Sequence, residues 1–267
     1  MGFGLPNKLE LYETLSSSRL APYLPHSILI KDCSDVISAL NKQKKVIIKP
    51  INGSQGFGIY YLKKNDKTIH VKTEKNKQII SRIFPNETKL FQWLQPLINF
   101  RPYLLQPYLE LSNTASKPFD IRILLQKDEQ GIWLERGKGI RIGNTGGILS
   151  NLSAGGSVMD FTTWTSTLSQ ANKEYISSEL NFIITNLSHI IEREISPLCE
   201  IGIDIGVAKN GALWILDVNS KPGRKVVLKT EPDLKETLLL APLLYGKYLI
   251  QSEDKERKSH YEKTLYH

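Results

Sequence analysis

The stretch 201–223, IGIDIGVAKNGALWILDVNSKPG, decides the fold. Asn210-Gly211 is the strongest short hairpin signal, because both central residues of a type I′ turn take positive φ. A two-residue loop there pairs Lys209 with Ala212 and sets Asp204 directly opposite Asp217, Gly202 opposite Asn219 and Gly206 opposite Ile215. One face then carries Ile201, Ile203, Ile205 and Val207 against Trp214, Leu216 and Val218, which reads as a core face. The other carries two carboxylates with Cβ atoms ~5 Å apart, a destabilising pairing unless a shared proton or a cation offsets it. Two carboxylates and an amide oxygen suit a hard divalent cation, Mg²⁺ or Mn²⁺, and the neighbouring glycines leave room above the sheet. Solvent exposure of both aspartates on a half-wet antiparallel sheet accounts for the same pattern.

Working outward, VIIKP ends a β-branched strand at Lys49 and Pro50 and leads into INGSQGFG (51–58), with glycines at 53, 56 and 58. Glycines let backbone N–H groups approach an anion, and a strand-anchored lysine supplies a point charge for phosphate. The spacing is not a P-loop, and a strand rather than a helix follows, so it is not a dinucleotide fingerprint either. A plain hairpin loop with glycines is the competing reading. Asp120 and Arg122, two apart in FDIRILLQK, share a strand face as a structural ion pair or a ligand site. Arg141 and Asn151 flank a Gly/Ser/Asn-rich loop, 143–157, and carry little alone.

The remaining elements follow from caps and periodicity. Asn7 caps a helix to about Leu20, Ser27–Lys31 is a short strand, and Ser34 caps a helix from Asp35 to Gln43. Strands IYYLKK and TIHVKT flank an Asn65-Asp66 turn, and Asn86 caps a helix over 87–95. Tyr103–Gln106 is a strand, and 119–127 and 132–142 are longer ones. Ser169 opens an amphipathic helix from about Ala171 to Glu194, and the last helix spans about Asp233 to Tyr248 before a fraying tail. Mixed elements with antiparallel connections define an α+β fold.

Composition narrows the function. The 267 residues are 40% hydrophobic and 23% charged, enough for a real core. No run of 18 apolar residues occurs, so no transmembrane helix is expected. The start, MGFGLPNKLELYET, lacks a basic region followed by an apolar run, so a cytoplasmic location is expected. Cys33 and Cys199 fit neither a disulfide framework nor a zinc ribbon. Net charge is +8, and residues 42–89 hold twelve Lys/Arg against three acids, so that one segment carries the whole surplus. A polyanionic partner follows. Nucleic acid is disfavoured, because only Phe57, Tyr60, Tyr61 and Phe84 interleave with the lysines and two of those lie within one strand.

Taken in order, these motifs resemble the ATP-grasp proteins, and most closely their YheC/YheD-like, endospore coat-associated branch, from about Asn7 to Arg224. The resemblance implies two α+β lobes clasping a nucleotide, the small one at 42–107 and the large one at 108–250. Residues 1–41 lead in, and 251–267 form a flexible tail. VIIKPINGSQGFGIYYL resembles the phosphate-binding strand–loop–strand, implying Lys49, Gly53, Ser54, Gly56 and Gly58 as nucleotide contacts. NKLELYETL implies Lys8 as a second nucleotide lysine, and LLQPYLEL implies an adenine-facing hinge at Gln106, Pro107, Tyr108 and Leu109. FDIRILLQ and ILSNLSAGG imply nucleotide-site roles for Asp120 and Asn151 and a catalytic one for Arg122. GIDIGV and WILDVNSKPG imply Asp204, Asp217 and Asn219 as ligands for Mg²⁺ or Mn²⁺, with Asp217 standing where many relatives carry Glu.

The implied activity is an ATP-dependent carboxylate–amine or carboxylate–thiol ligase acting through an acylphosphate. Small-molecule or peptide carboxylates and amines would be its substrates, and Arg224 would meet the acceptor. Association with the spore coat is implied too, and a nucleotide-binding coat protein without ligase turnover is the alternative. Family enzymes carry a further domain before the first lysine, whereas seven residues precede Lys8 here, so that domain is expected to be missing.

Overall fold

The computed structural model describes residues 4–53, 55–111, 116–195 and 197–265. Two antiparallel sheets form the frame. Asn7 accepts from the backbone of Leu9 and Glu10 and starts α1 (Lys8–Ser16), which ends four residues before the expected Leu20. A short strand, β1 (Ile28–Leu29), precedes α2 (Cys33–Gln43). Its cap is Asp32 rather than Ser34, because Asp35 bonds back to complete a capping box.

In β2 (Lys45–Pro50), period-two alternation buries Val46, Ile48 and Pro50 and turns Lys49 to the opposite face. The small lobe continues with β3 (Tyr60–Lys64), β4 (Ile69–Lys75), β5 (Gln78–Phe84), α3 (Glu87–Phe100) and β6 (Tyr103–Pro107). Its sheet runs β1-β6-β2-β3-β4-β5. The edge strand β5 was not expected: Ile79, Ile80 and Ile83 are exposed and break period two.

The large lobe contains β7 (Phe119–Lys127), β8 (Trp133–Ile142), β9 (Ser157–Asp160), α4 (Phe161–Thr165), α5 (Gln170–Ile190), β10 (Glu200–Val207), β11 (Leu213–Asn219), α6 (Lys225–Thr230) and α7 (Lys235–Leu265). Its sheet order is β11-β10-β7-β8-β9. Strand β9 also falls outside the expected elements. Helix α5 ends at Ile190 in a π turn over Ile191–Ile195, and α7 runs on to Leu265 rather than stopping near Tyr248.

Ile176, Leu180, Ile183 and Leu187 recur at helical spacing on α5 and pack on Ile121, Ile123, Ile201 and Ile203 of the sheet. Leu11 and Leu15 of α1 join this large-lobe core, whereas Val36 and Leu40 of α2 pack into the small lobe with Ile48, Leu62 and Leu94. The leading segment therefore touches both lobes. All strand pairings among the described residues are antiparallel, as an α+β fold requires. No described helix is long and apolar enough to cross a membrane.

Candidate functional site

The hairpin β10–β11 reaches the expected carboxylate pairing by a different route. Of Asn210 and Gly211, only the glycine takes positive φ, +85°, and Gly211 N–H donates to Ala208 O at 2.9 Å. This is a three-residue loop ending in a left-handed glycine, not a two-residue type I′ turn. It shifts the register by one, so Gly206 faces Trp214 and Ile205 faces Ile215. A bulge at Leu216 then cancels the shift, and Asp204 faces Asp217 and Gly202 faces Asn219 as expected. The core face of β11 is accordingly Leu213, Ile215 and Val218. Trp214 and Leu216 are not on it, and Leu216 turns into the cleft between the lobes.

Protein cations offset the repulsion between the two aspartates. Across β7–β10, Arg122 lies opposite Asp204 and bonds its Oδ1, while Arg141 reaches Asp204 Oδ2 at 2.8 Å. Arg141 also grips Asp120 through Nε and Nη2 at 2.7 and 2.6 Å, and Ser150 Oγ donates to Asp120 at 2.6 Å. Asp120 and Arg122 thus share a face without pairing to one another. Asp120, Arg141 and Asp204 are 3%, 7% and 7% exposed, so Asp204 is not the solvent-facing aspartate of the simpler reading. Burial pushes the Asp204 carboxyl up, but the two guanidinium groups outweigh it and hold it down at about 2.

Asp217 accepts from Lys8 Nζ and, at 3.3 Å, from Asn219 Nδ2. Lys8 is placed by α1, by its own N–H bond to Ile51 O at 3.1 Å, and by the bond from Leu5 N–H to Ser220 Oγ at 3.2 Å. Lys49 Nζ donates to Leu216 O at 3.2 Å. Desolvation lowers its pKa to about 8, with Asp217 acting against the shift and Lys8 adding to it.

Two cavities meet at these residues. One, of about 710 Å³, is lined by Lys8, Lys49, Gly53, Gly56, Arg122, Asn151, Asp204, Asp217, Asn219 and Arg224 among others. The second, of about 150 Å³, is a more apolar slot formed by Gln106–Leu109 with Ile47, Ile59, Ile148 and Leu216, and by Asp120 at one end. Gly56 has φ +81°, and a Cβ there would lie 2.6 Å from Leu149 Cδ1 and 2.9 Å from Asn151 Nδ2. The glycine loop therefore rests against the large lobe, and Ser153 Oγ donates to Gln55 O at 3.2 Å. Gly58 packs against Arg101 outside the cavity lining, and Ser54 lies outside the described residues. Arg224 is held by Glu200 at 2.9 Å.

The sequence singled out neither Leu216 nor the role of Arg141 as a clamp. The cross-lobe acceptor Glu74 was missed as well; its Oε1 takes the N–H groups of Ile148 and Leu149 at 2.5 and 2.8 Å. Extending the β7–β8 register from Lys127–Trp133 sets Ile140 opposite Asp120; the bulge at Arg136 moves Arg141 there, so the sequence carried no signal for that contact either.

Among the described residues no three His, Cys, Asp or Glu side chains cluster. The donor set of Asp204, Asp217 and Asn219 is nevertheless all hard oxygen, and the Lys8 ammonium on Asp217 marks a position that already accepts positive charge.

Two antiparallel lobes with a lysine-lined cleft between them make this an ATP-grasp fold. D-alanyl-alanine synthetase A from Vibrio cholerae O1 biovar eltor str. N16961 matches it at a TM-score of 0.55, covering 92% of this chain and 68% of that one at 11% identity. The ADP complex of purK, N5-carboxyaminoimidazole ribonucleotide synthetase, matches at 0.53, covering 85% and 48% at 8% identity. Within this class the chain belongs to the YheC/D-like ATP-grasp family, matched over residues 1–249. It is 34% identical to the endospore coat-associated protein YheC of Bacillus subtilis (strain 168) over 257 residues, 96% of this chain and 70% of that protein. To the endospore coat-associated protein YheD of the same organism it is 30% identical over 228 residues, 82% of this chain and 49% of YheD.

Proposed function

We propose that the chain binds MgATP in the cleft and acts as an ATP-dependent carboxylate–amine or carboxylate–thiol ligase. The observation that carries this reading is the junction of an apolar slot with a cationic cavity at the Asp204/Asp217/Asn219 edge. Adenine fits the slot against Leu216 and the hinge Gln106–Leu109, and the phosphates extend toward Lys49 and the loop from Gly53 to Gly58. Asp204, Asp217 and Asn219 would hold Mg²⁺ or Mn²⁺, which neutralises phosphate charge. Two carboxylates and one amide leave the remaining coordination to water and phosphate oxygen.

Lys8 exchanges Asp217 for phosphate when nucleotide enters. Lys49 and Arg122 stabilise charge at the transferring phosphoryl group, and Asp120 with Arg141 fixes the Arg122–Asp204 geometry. The γ-phosphoryl group passes to a substrate carboxylate oxygen and ADP leaves. An amine or thiol then attacks the acyl carbon and expels phosphate, with Arg224 at the acceptor side. The names of the relatives support association with the spore coat.

Asp217→Ala and Lys49→Ala are expected to lose Mg-dependent ATP binding and ADP release in a screen of carboxylates and amines. Unchanged affinity and turnover in both would overturn the reading. Nucleotide binding without ADP release for any substrate pair would instead make this a nucleotide-binding coat protein.

A further inference from the structure

The charges lining the larger cavity do not balance. Arg122, Arg141, Asp120 and Asp204 neutralise one another, Lys8 meets Asp217, and Arg224 meets Glu200. Lys49 is taken by the phosphate reading. Lys77, Lys221 and Lys225 line the same cavity, and among the described residues none of them has an acidic partner. A divalent cation already neutralises much of a triphosphate's charge, so the nucleotide does not account for three more lysines.

Their placement is built into both lobes. Lys77 sits at the tip of the β4–β5 hairpin, where Lys75 pairs with Gln78 across two residues, Asn76 and Lys77, with φ of +52° and +63°. That turn favours glycine at the second position, yet a lysine is held there. The tip crosses the cleft: a Cβ on Gly155 would lie 3.6 Å from Lys77 Cβ. On the large lobe, Lys221 and Lys225 follow β11 in a segment pinned by Ser220 to Leu5 and by buried Pro222 beside Gly202. The lysines thus face one volume from opposite jaws.

We propose that the substrate joined here is a polyanion: a carboxylate bearing at least one further carboxylate or phosphate-type group, received by Lys77, Lys221 and Lys225. This rests on the ligase reading and specifies the substrate class of the same cleft.

The test is calorimetric titration of the full chain with acetate, tricarballylate and phosphonoacetate, with and without Mg²⁺ and adenylyl imidodiphosphate. The two polyanions are expected to bind roughly tenfold or more tightly than acetate, and the stronger of the two tells carboxylate from phosphate-type recognition. The triple variant Lys77→Gln/Lys221→Gln/Lys225→Gln is expected to lose about that factor, and the triple arginine variant to keep it. All three lysines are exposed, so the variants fold, which their melting curves check. Equal binding of acetate and the polyanions, no binding of any of them, or a triple glutamine variant unchanged in polyanion affinity overturns the proposal. Nucleotide binding with no such charge selectivity sinks this inference alone. Polyanion selectivity without nucleotide binding sinks the MgATP reading and leaves the anion site standing.

Discussion

Replacing Arg141 by methionine isolates the electrostatics of the cleft floor. In the native protein two buried guanidinium groups face two buried carboxylates, and Arg141 makes three of the contacts, two to Asp120 and one to Asp204. Methionine keeps much of the volume but leaves two carboxylates with one cation. Breaking a buried pair from one side costs about 3–5 kcal/mol, because the abandoned charge stays desolvated. Urea unfolding at pH 7, followed by circular dichroism, is expected to show a loss of that size.

The pH dependence gives a second reading of the same change. In the native protein the Asp204 carboxyl is held at about 2, below its ordinary value of 3.8. Its contribution is therefore present above roughly pH 4 and lost as pH falls toward 2. Burial already pushes the Asp120 carboxyl above its ordinary value in the native protein, with Arg141 the main group opposing it, so in the variant it rises further and binds a proton on folding at higher pH. The deficit should then shrink between pH 7 and pH 5. Adding Asp120→Leu should recover part of the loss at pH 7, since a buried ion pair replaced by apolar groups is often near neutral. A single variant within about 1 kcal/mol of the native protein, or a double variant no better than the single, would refute the reasoning.

Three further outcomes follow from the cleft. Gly56→Val places a branched side chain at φ +81° against Leu149 and Asn151, so nucleotide affinity should fall about tenfold or more and the loop should become sensitive to protease. Glu74→Ala leaves the Ile148 and Leu149 N–H groups without their acceptor at a cost of about 1–3 kcal/mol, so hydrogen exchange at those two amides should accelerate while Glu74→Gln largely preserves protection. Lys49, lowered to about 8 by burial, should regain its ordinary basicity against phosphate; metal-free ADP affinity should hold below pH 8 and weaken above it by up to about tenfold per pH unit, and Lys49→Gln should flatten that dependence.

Local rules predicted well where one residue type settles a conformation. Asn7 and Asn86 cap the helices they were expected to cap, and the alternation of β2 turns Lys49 away from the core. They failed where two candidates compete or where the cause is non-local. Asp32 and Ser34 both can cap α2, and only the reciprocal bond from Asp35 decides. The Asp204–Asp217 pairing was reached through two errors that cancel, a loop one residue longer than expected and a bulge at Leu216. Nothing in ILDVN marks that bulge, because no glycine or polar residue stands there. Its effect is nevertheless the one that matters for the cleft: without it Leu216 would stand opposite Asp204 and Asp217 would point into the core beside Leu213 and Ile215.

The basic surplus of residues 42–89 divides into unequal parts once each lysine has a place. Lys45 with Glu110 and Lys64 with Glu87 form ion pairs with at least one partner well exposed, of the kind that adds little stability and is screened by salt. Lys49 and Lys77 alone from this segment line the cavity, reached from a strand face and from a strained hairpin tip respectively. The lysine charge this segment brings to the cavity is therefore not the lobe's total but these two side chains, joined there by Lys221 and Lys225 from a segment far away in sequence. A net-charge count points to the small lobe alone, whereas the cavity-lining cations without acidic partners stand on both jaws, which is what the proposed anion site rests on.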